Sequence, residues 1–280
     1  MKSRILFWAV VIIFSVSTLK AAGGKVKSSD GIEIAYSVSG KGEPTLIFVH
    51  GWGWDQSLWK KQVAKFSARY KVVTLDLAGH GESGKKRKSY TVKAFADDVV
   101  SVVNKLKLNK VILVGHSMGG IINLEVYRQI KDKVAGIIGA DTYQLFQKGE
   151  NPKSAEDYLT TFKENYLGSV REYVRTLFLE SADTAFVENM VKKMQKLSPE
   201  IGMDIFRNIY QYNSLKAVTE LQPRIISLNG QKFKVKEAEN VKVLPSFTSK
   251  KILGTGHFLM IENPERFDEL LQQTIDELTR

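Results

Sequence analysis

Short runs of apolar residues recur along the chain and alternate with longer segments in which apolar positions return every three or four residues. The runs lie at residues 45–50, 71–77, 110–115, 134–140, 224–228 and 246–253, after a half-exposed alternating segment at 32–37. The helical periods lie at residues 57–67, 91–106, 118–130 and 264–278. Such runs are typical of strands covered on both faces, with helices as the crossovers of a parallel sheet. The pattern therefore predicts an α/β fold with a mainly parallel central sheet flanked by helices.

One segment, residues 142–222, interrupts this alternation. It contains amphipathic helical stretches without a convincing strand, and it holds 11 of the chain's 28 aromatic residues. At helical spacing such rings serve core packing more often than ligand binding, and both uses stay open. We predict that residues 142–222 form a helical cap inserted into a core that consists of residues 24–141 and 223–280.

The first 23 residues have the pattern of an export signal. Lys2 and Arg4 precede an apolar run at residues 5–19, and small residues follow at 21–24. The run is too short for a comfortable bilayer span. We therefore expect a signal peptide, cleaved after Ala21 or Gly23, or an uncleaved N-terminal membrane anchor. Either reading predicts an exported protein, periplasmic or secreted.

Charge limits the partners that the protein can have. Lys and Arg number 41 against 30 Asp and Glu, which gives a net charge of +11 and favours anionic partners. The charge is scattered except for the run KKRK at residues 85–88, which we interpret as a solvated loop, with contact to an anionic membrane surface as the alternative. No basic stripe interleaved with aromatic residues accompanies it, so no nucleic-acid partner is expected.

The strongest chemical signal is Ser117, which lies between a predicted buried strand and a predicted helix. Its surroundings read Gly115-x-Ser117-x-Gly119, followed by Gly120. A tight turn between strand and helix lifts such a serine above the sheet, and small neighbours prevent collision. The chain has no cysteine, which excludes a thiol nucleophile and thiolate metal sites. We predict that Ser117 is a catalytic nucleophile.

With three further segments, this turn makes the chain resemble the α/β-hydrolase family, in its capped esterase-like branch. The segments are HGWGWDQSLW at 50–59, DLAGHGES at 76–83, and GTGHF with IENPERF at 254–267. The resemblance runs from about residue 25 to the C-terminus and implies the α/β-hydrolase fold. Relatives that act as dehalogenases or epoxide hydrolases use a carboxylate nucleophile, so Ser117 disfavours those activities.

The resemblance also implies the residues that would assist Ser117. The family places its general base on the loop after the last strand, where this chain has His257, and not at the positions of His50, His80 or His116. None of these histidines has metal-site spacing to another ligand, so no metal is expected. The backbone N–H groups of Met118 and Trp52 are expected to form the oxyanion hole. The Trp52 indole is expected to line the pocket, with packing as the alternative.

The acid of the triad is where the chain departs from the commoner family pattern. That pattern would place it at Phe233, after the penultimate strand. Some capped relatives take it from the end of the preceding strand, where this chain has Asp141. We therefore predict Asp141 as the acid, with Glu237 or Glu239 as alternatives, or with no acid at all. A helix N-cap is the structural alternative for Asp141.

These residues predict a serine hydrolase that cleaves a carboxylic ester or related acyl bond in a small molecule without a cofactor. Fold and triad do not choose the substrate, so thioesters, amides and lipids stay open, as do C–C hydrolase and cofactor-free perhydrolase chemistry. A catalytically silent ligand-binding protein on the same fold is the alternative from another class. Sequence alone predicts no oligomeric state.

Overall fold

The computed structural model describes residues 22–280, except for the side chains of residues 152, 154, 155, 158 and 161. Within that range the strands are β1 (Ala22–Lys27), β2 (Glu33–Ser39), β3 (Thr45–Val49), β4 (Val72–Leu75), β5 (Val111–His116), β6 (Val134–Ala140), β7 (Ile225–Asn229) and β8 (Thr248–Lys251). They form one sheet in the order β1-β2-β4-β3-β5-β6-β7-β8. β2 runs antiparallel to both of its neighbours, and all other pairs are parallel. The predicted mainly parallel sheet is confirmed.

Helices cover both faces of the sheet and fill the interval between β6 and β7. The α-helices of residues 22–280 are α1 (Lys60–Phe66), α2 (Val92–Lys105), α3 (Met118–Ile130), α4 (Pro152–Glu164), α5 (Tyr166–Thr176), α6 (Thr184–Met194), α7 (Pro199–Tyr210), α8 (Ser214–Leu221), α9 (Glu237–Val243), α10 (Leu259–Glu262) and α11 (Pro264–Thr279). Helices α4–α8 lie in the segment predicted to be a cap. The aromatic side chains of Phe206 and Tyr173 from that segment pack against Trp52 of the core.

Register in the middle of the sheet decides which residues meet at its edge. Val49 pairs with Gly115, and His116 pairs with Ala140, so β3, β5 and β6 end side by side. All residues of β3 and β5 are buried, which explains their continuous apolar sequences. The chain therefore delivers the turn after β3, the turn after β5 and the residue after β6 to one place. Ligands of open α/β sheets bind at such carboxyl ends.

Two strands differ from the prediction. β1 was not expected, because its sequence AGGKVK has no apolar alternation and forms an edge strand with exposed or half-exposed residues. β8 covers only residues 248–251 of the predicted 246–253 and is also half-exposed. Residues 1–21 of the predicted signal lie outside the described residues. Cleavage after Ala21 would leave β1 complete, whereas cleavage after Gly23 would remove its first two residues.

The basic run at residues 85–88 is only partly the solvated loop that we expected. Lys85, Lys86 and Lys88 are exposed, but the Arg87 side chain is 2% exposed. Its guanidinium donates to Asp98 on α2 and, through Nε at 2.6 Å, to Asp30 in the β1–β2 turn. Burial of an ion pair requires such satisfied partners. Arg87 therefore holds the loop against the core.

No helix among residues 22–280 is both long enough and apolar enough to cross a membrane.

Candidate active site

Ser117 stands at the junction between β5 and α3 in a strained backbone conformation. Its φ of 52° and ψ of −120° belong to a region that residues with a Cβ seldom adopt. Glycines make the turn possible, because a Cβ on Gly115 would lie 2.5 Å from the backbone of Gly119, and one on Gly119 would collide with the Val49 carbonyl. The strain is typical of a nucleophile elbow, and the serine side chain stays half-buried at the cavity wall.

Two backbone N–H groups near Ser117 have no hydrogen-bond partner among residues 22–280. One belongs to Met118, the first residue of α3, where the helix dipole favours negative charge. The other belongs to Trp52 in the turn after β3. This turn packs closely against the serine, because a Cβ on Gly51 would lie 3.2 Å from Ser117 Cβ. Both donors therefore lie beside the hydroxyl-bearing residue.

His257 and Asp141 form a short hydrogen bond at the same edge of the sheet. The distance from His257 Nδ1 to Asp141 Oδ2 is 2.6 Å, and the Asp141 side chain is fully buried. The second carboxylate oxygen, Oδ1, accepts the Gly230 N–H at 2.7 Å. Because an ionised carboxylate can only accept, His257 carries its proton on Nδ1. Its Nε2 is then an acceptor.

The loop of His257 is fixed by three further groups that sequence reasoning did not identify. The Glu262 carboxylate accepts the N–H groups of Gly256 and Phe258, at 2.8 and 2.9 Å, on either side of the histidine. Burial raises the pKa of this carboxyl. His116 Nε2 donates to the His257 carbonyl at 3.1 Å, and the His257 N–H donates to Leu177 O at 2.8 Å. The motif IENPERF contains Glu262, but nothing in its spacing indicates this contact.

The alternatives for the acid lie elsewhere. Phe233 occupies the commoner acid position, and its ring stands edge-on to His257 with 6.0 Å between centroids. Glu237 begins α9 and accepts hydrogen bonds from the backbone and hydroxyl of Ser249. Glu239 is exposed on the same helix. Among the described candidates for the acid, only Asp141 bonds to His257. The Asp141 side chain caps no helix.

His50 and His80 are buried away from the serine and brace the turn that carries Trp52. His50 Nδ1 donates to Gly51 O at 2.8 Å and its Nε2 accepts the Leu77 N–H at 3.0 Å. His80 Nε2 accepts the Gly53 N–H at 3.3 Å. Burial lowers the pKa of His50 to about 4 and that of His80 to about 3, so both rings are neutral. In the described part of the chain, no cluster of three His, Asp or Glu side chains could hold a metal ion.

Ser117, His257 and Asp141 share the wall of a cavity of about 500 Å³. Most of the lining is apolar, and it includes Trp52, Met118, Ile121, Tyr173, Leu177, Phe206, Ile209 and Phe233. The Trp52 indole both lines the cavity and donates through Nε1 to Gly202 O on α7 at 3.1 Å. Trp54 instead packs against Phe258, outside this lining. The arrangement provides a largely apolar chamber with a serine hydroxyl and an imidazole in its wall and two unpaired backbone donors beside the serine.

Comparison with known proteins identifies the fold and the family. Residues 44–264 match the family model described as alpha/beta hydrolase fold. A Haemophilus influenzae protein assigned as an esterase/lipase is 27% identical over 229 residues, which cover 79% of each chain. A thermophilic esterase from Thermogutta terrifontis superposes with a TM-score of 0.80 at 24% identity, over 92% of this chain and 99% of that one. An esterase from Exiguobacterium antarcticum has the same TM-score at 18% identity, over 92% and 100% of the two chains.

Proposed function

Because this chain belongs to the α/β-hydrolase fold family, we propose that it is a serine hydrolase which cleaves carboxylic esters through an acyl-enzyme. One observation carries the proposal. Ser117, in its strained turn, lines the same cavity as His257, and the imidazole of His257 is oriented by the hydrogen bond to Asp141. A serine hydroxyl needs such a base to become a nucleophile at neutral pH.

In the first half of the reaction, Ser117 Oγ attacks the ester carbonyl and His257 Nε2 takes the hydroxyl proton. The buried Asp141 carboxylate accepts the Nδ1 proton of His257, so Nε2 is left free to act as the base. The same carboxylate stabilises the imidazolium that forms. His257 then returns the proton to the alkoxide oxygen as the C–O bond breaks. The alcohol leaves, and the acyl group stays on Ser117.

Negative charge on the carbonyl oxygen is greatest at the tetrahedral stage. The free N–H groups of Met118 and Trp52 are the donors that we assign to this oxygen. Met118 adds the favourable end of the α3 dipole. The Trp52 donor depends on the turn that His50 and His80 hold in place.

In the second half, water replaces the alcohol. His257 Nε2 removes a proton from the water as its oxygen attacks the acyl carbon, and the proton then returns to Ser117 Oγ as the acid leaves. The atoms balance with ester and water as reactants and with acid and alcohol as products. Side chains and backbone of this chain carry every step, and the proposal requires no cofactor.

The substrate that fits best is a small ester with an apolar portion. The cavity is lined largely by apolar side chains, several from helices α5 and α7 of the cap segment. Relatives of this chain are named as esterases, which supports the ester bond over other acyl bonds. C–C hydrolase and cofactor-free perhydrolase chemistry would use the same serine and base, and they stay alternatives within this site.

A fluorophosphonate probe tests the proposal and separates it from a silent ligand-binding protein. We expect one phosphonyl group per chain, located on Ser117 by peptide mass spectrometry, and loss of hydrolysis of p-nitrophenyl butyrate in parallel. A panel of esters, thioesters, amides and β-diketones then ranks the bonds that are cleaved. An unlabelled Ser117 in folded protein that also leaves every ester intact would refute the serine-hydrolase assignment.

Export and contact with an anionic membrane surface remain predictions from the sequence. The signal lies almost wholly in residues 1–21. At the basic run, Lys85, Lys86 and Lys88 are exposed, whereas Arg87 is committed to Asp30 and Asp98.

A further inference from the structure

The cavity beside Ser117 is lined by two chemically different sets of side chains. Trp52, Tyr173 and Phe206 form an aromatic wall, with ring centroids of Trp52 and Phe206 4.4 Å apart. The loop between β7 and α9 contributes Lys234 to the lining, and the segment after β6 contributes Gln144. Among the described lining residues, Lys234 is the one Lys or Arg. The site therefore combines an apolar wall with a cationic edge.

The sequence of the loop explains why Lys234 is placed there. Residues 232–236 read KFKVK, and burial alternates along them. Phe233 and Val235 are partly buried and pack against the core, whereas the three lysines are exposed. The Lys236 N–H donates to Gln144 O at 2.7 Å, which ties the loop to the segment that carries Gln144. The alternation thus exposes all three lysines, and the middle one, Lys234, lines the cavity.

Lys234 has no carboxylate partner within residues 22–280, and the Gln144 side chain makes no hydrogen bond there. Asp141, the one acid among the described residues of the lining, is already bonded to His257 and Gly230. The Lys234 ammonium and the Gln144 carboxamide can both donate hydrogen bonds to a carboxylate.

We propose that the preferred substrates are esters that also carry an anionic group such as a carboxylate, held by Lys234 with Gln144. The apolar part of the ester would lie against the aromatic wall while its reacting carbonyl faces Ser117. The net charge of +11 favours the approach of such anions. This inference rests on the proposed ester hydrolysis and adds a substrate class to it.

Two matched pairs of esters test the inference. In the first, the anion is on the acyl side: mono-p-nitrophenyl glutarate is compared with p-nitrophenyl butyrate. In the second it is on the leaving group: 4-carboxyphenyl butyrate is compared with 4-carbamoylphenyl butyrate. For each pair the anionic-to-neutral ratio of kcat/KM is measured at low salt for the wild type, Lys234→Met and Lys41→Met. Lys41 is an exposed lysine in the loop before β3, at the opposite edge of the sheet, so its variant removes the same charge far from the site.

We expect Lys234→Met to lower the ratio about two- to fivefold in at least one pair, which is the scale of an exposed charge contact. Added salt should lower the wild-type ratio more than that of Lys234→Met, because in the variant only the attraction to the overall positive charge is left to screen. An unchanged ratio in both pairs, or an equal fall in Lys41→Met, overturns the anionic substrate class while ester hydrolysis itself stands. Failure of the wild type to hydrolyse any of the four esters overturns both proposals.

Discussion

The ring of Phe233 stands edge-on to the imidazole of His257, at the position where the commoner pattern of the family would place the triad acid. An apolar ring there cannot orient the histidine through a hydrogen bond. The bond comes instead from Asp141, which follows β6 and lies 2.6 Å from His257 Nδ1. The acid therefore comes from the end of β6 and not from the loop after β7. Substitutions of Asp141 and Glu237 test this assignment.

Asp141→Asn should lower kcat for p-nitrophenyl butyrate by up to about 10⁴-fold while the protein stays folded, because an amide can hold His257 in the wrong tautomer. Asn can still accept the Gly230 N–H. Glu237→Gln, which removes the charge of a carboxylate bonded to Ser249, is the control and should keep kcat near wild type. A near-normal Asp141→Asn enzyme together with an inactive Glu237→Gln enzyme would transfer the role to Glu237.

Glu262→Gln should lower kcat about 10- to 100-fold with little change in KM. The carboxylate accepts the two N–H groups that flank His257, and an amide has only one acceptor oxygen for them. Small displacements of a catalytic group cost rate more than binding. Glu265→Gln, an exposed neighbour on α11, is the matched control. If Glu262→Gln and Glu265→Gln lose the same amount of kcat and the same amount of thermal stability, Glu262 has no positioning role.

How far the sequence predicts this molecule depends on the kind of contact. Strands β3 and β5 and most of β6 are buried on both faces, so their apolar runs predict where these strands lie in the sequence. β1 was missed because an edge strand of AGGKVK is selected by pairing with β2 rather than by burial. In the cap segment the sequence also predicts helix boundaries at Asp183, Pro199 and Gly168. Asp183 caps α6 and Pro199 begins α7, whereas Gly168 lies inside α5.

At the site, the sequence indicated residues that lie next to strand ends. Ser117 is marked by its glycines, and Asp141 by its place directly after β6. Contacts made across long separations leave no local signal: Glu262 acts on backbone N–H groups, and Arg87 reaches Asp30 and Asp98. A run of four basic residues therefore predicts a solvated loop even though one of them is buried.

Replacing Phe206 with leucine should shift the ester profile toward longer acyl chains. Its ring forms part of the cavity wall beside Trp52, so the smaller side chain leaves room for additional methylenes. Each methylene accommodated in an apolar pocket is worth about tenfold in kcat/KM. The measurement is the ratio of octanoate to butyrate hydrolysis. Phe186→Leu on α6, which contacts Phe178 outside the cavity lining, should leave the ratio unchanged. An identical profile in both variants would show that the cap segment does not set chain length.

Stability should fall on acidification partly through His50 and His80. Their pKa values are lowered by burial to about 4 and about 3, from 6.5 in the unfolded chain. Between pH 6.5 and those values the unfolded state binds more protons, so the stabilisation from neutral rings is complete above pH 6.5 and is lost as the pH falls. Each ring contributes up to about 1.4 kcal/mol of unfolding free energy per pH unit in that window.

His80→Asn removes one of these titrations. The variant should be less stable than wild type at pH 7, but its unfolding free energy should fall less steeply between pH 6.5 and 4. Urea denaturation at several pH values gives both quantities. Parallel stability curves for the two proteins would contradict the linkage to His80.

The most direct measurement of the central claim is the steady-state hydrolysis of p-nitrophenyl butyrate by Ser117→Ala beside the wild type. If Ser117 is the nucleophile, kcat/KM should fall by about 10³-fold or more. The melting temperature should stay close to that of the wild type, because the hydroxyl faces the cavity and supports no core contact. A folded Ser117→Ala enzyme that retains wild-type hydrolysis would contradict the account.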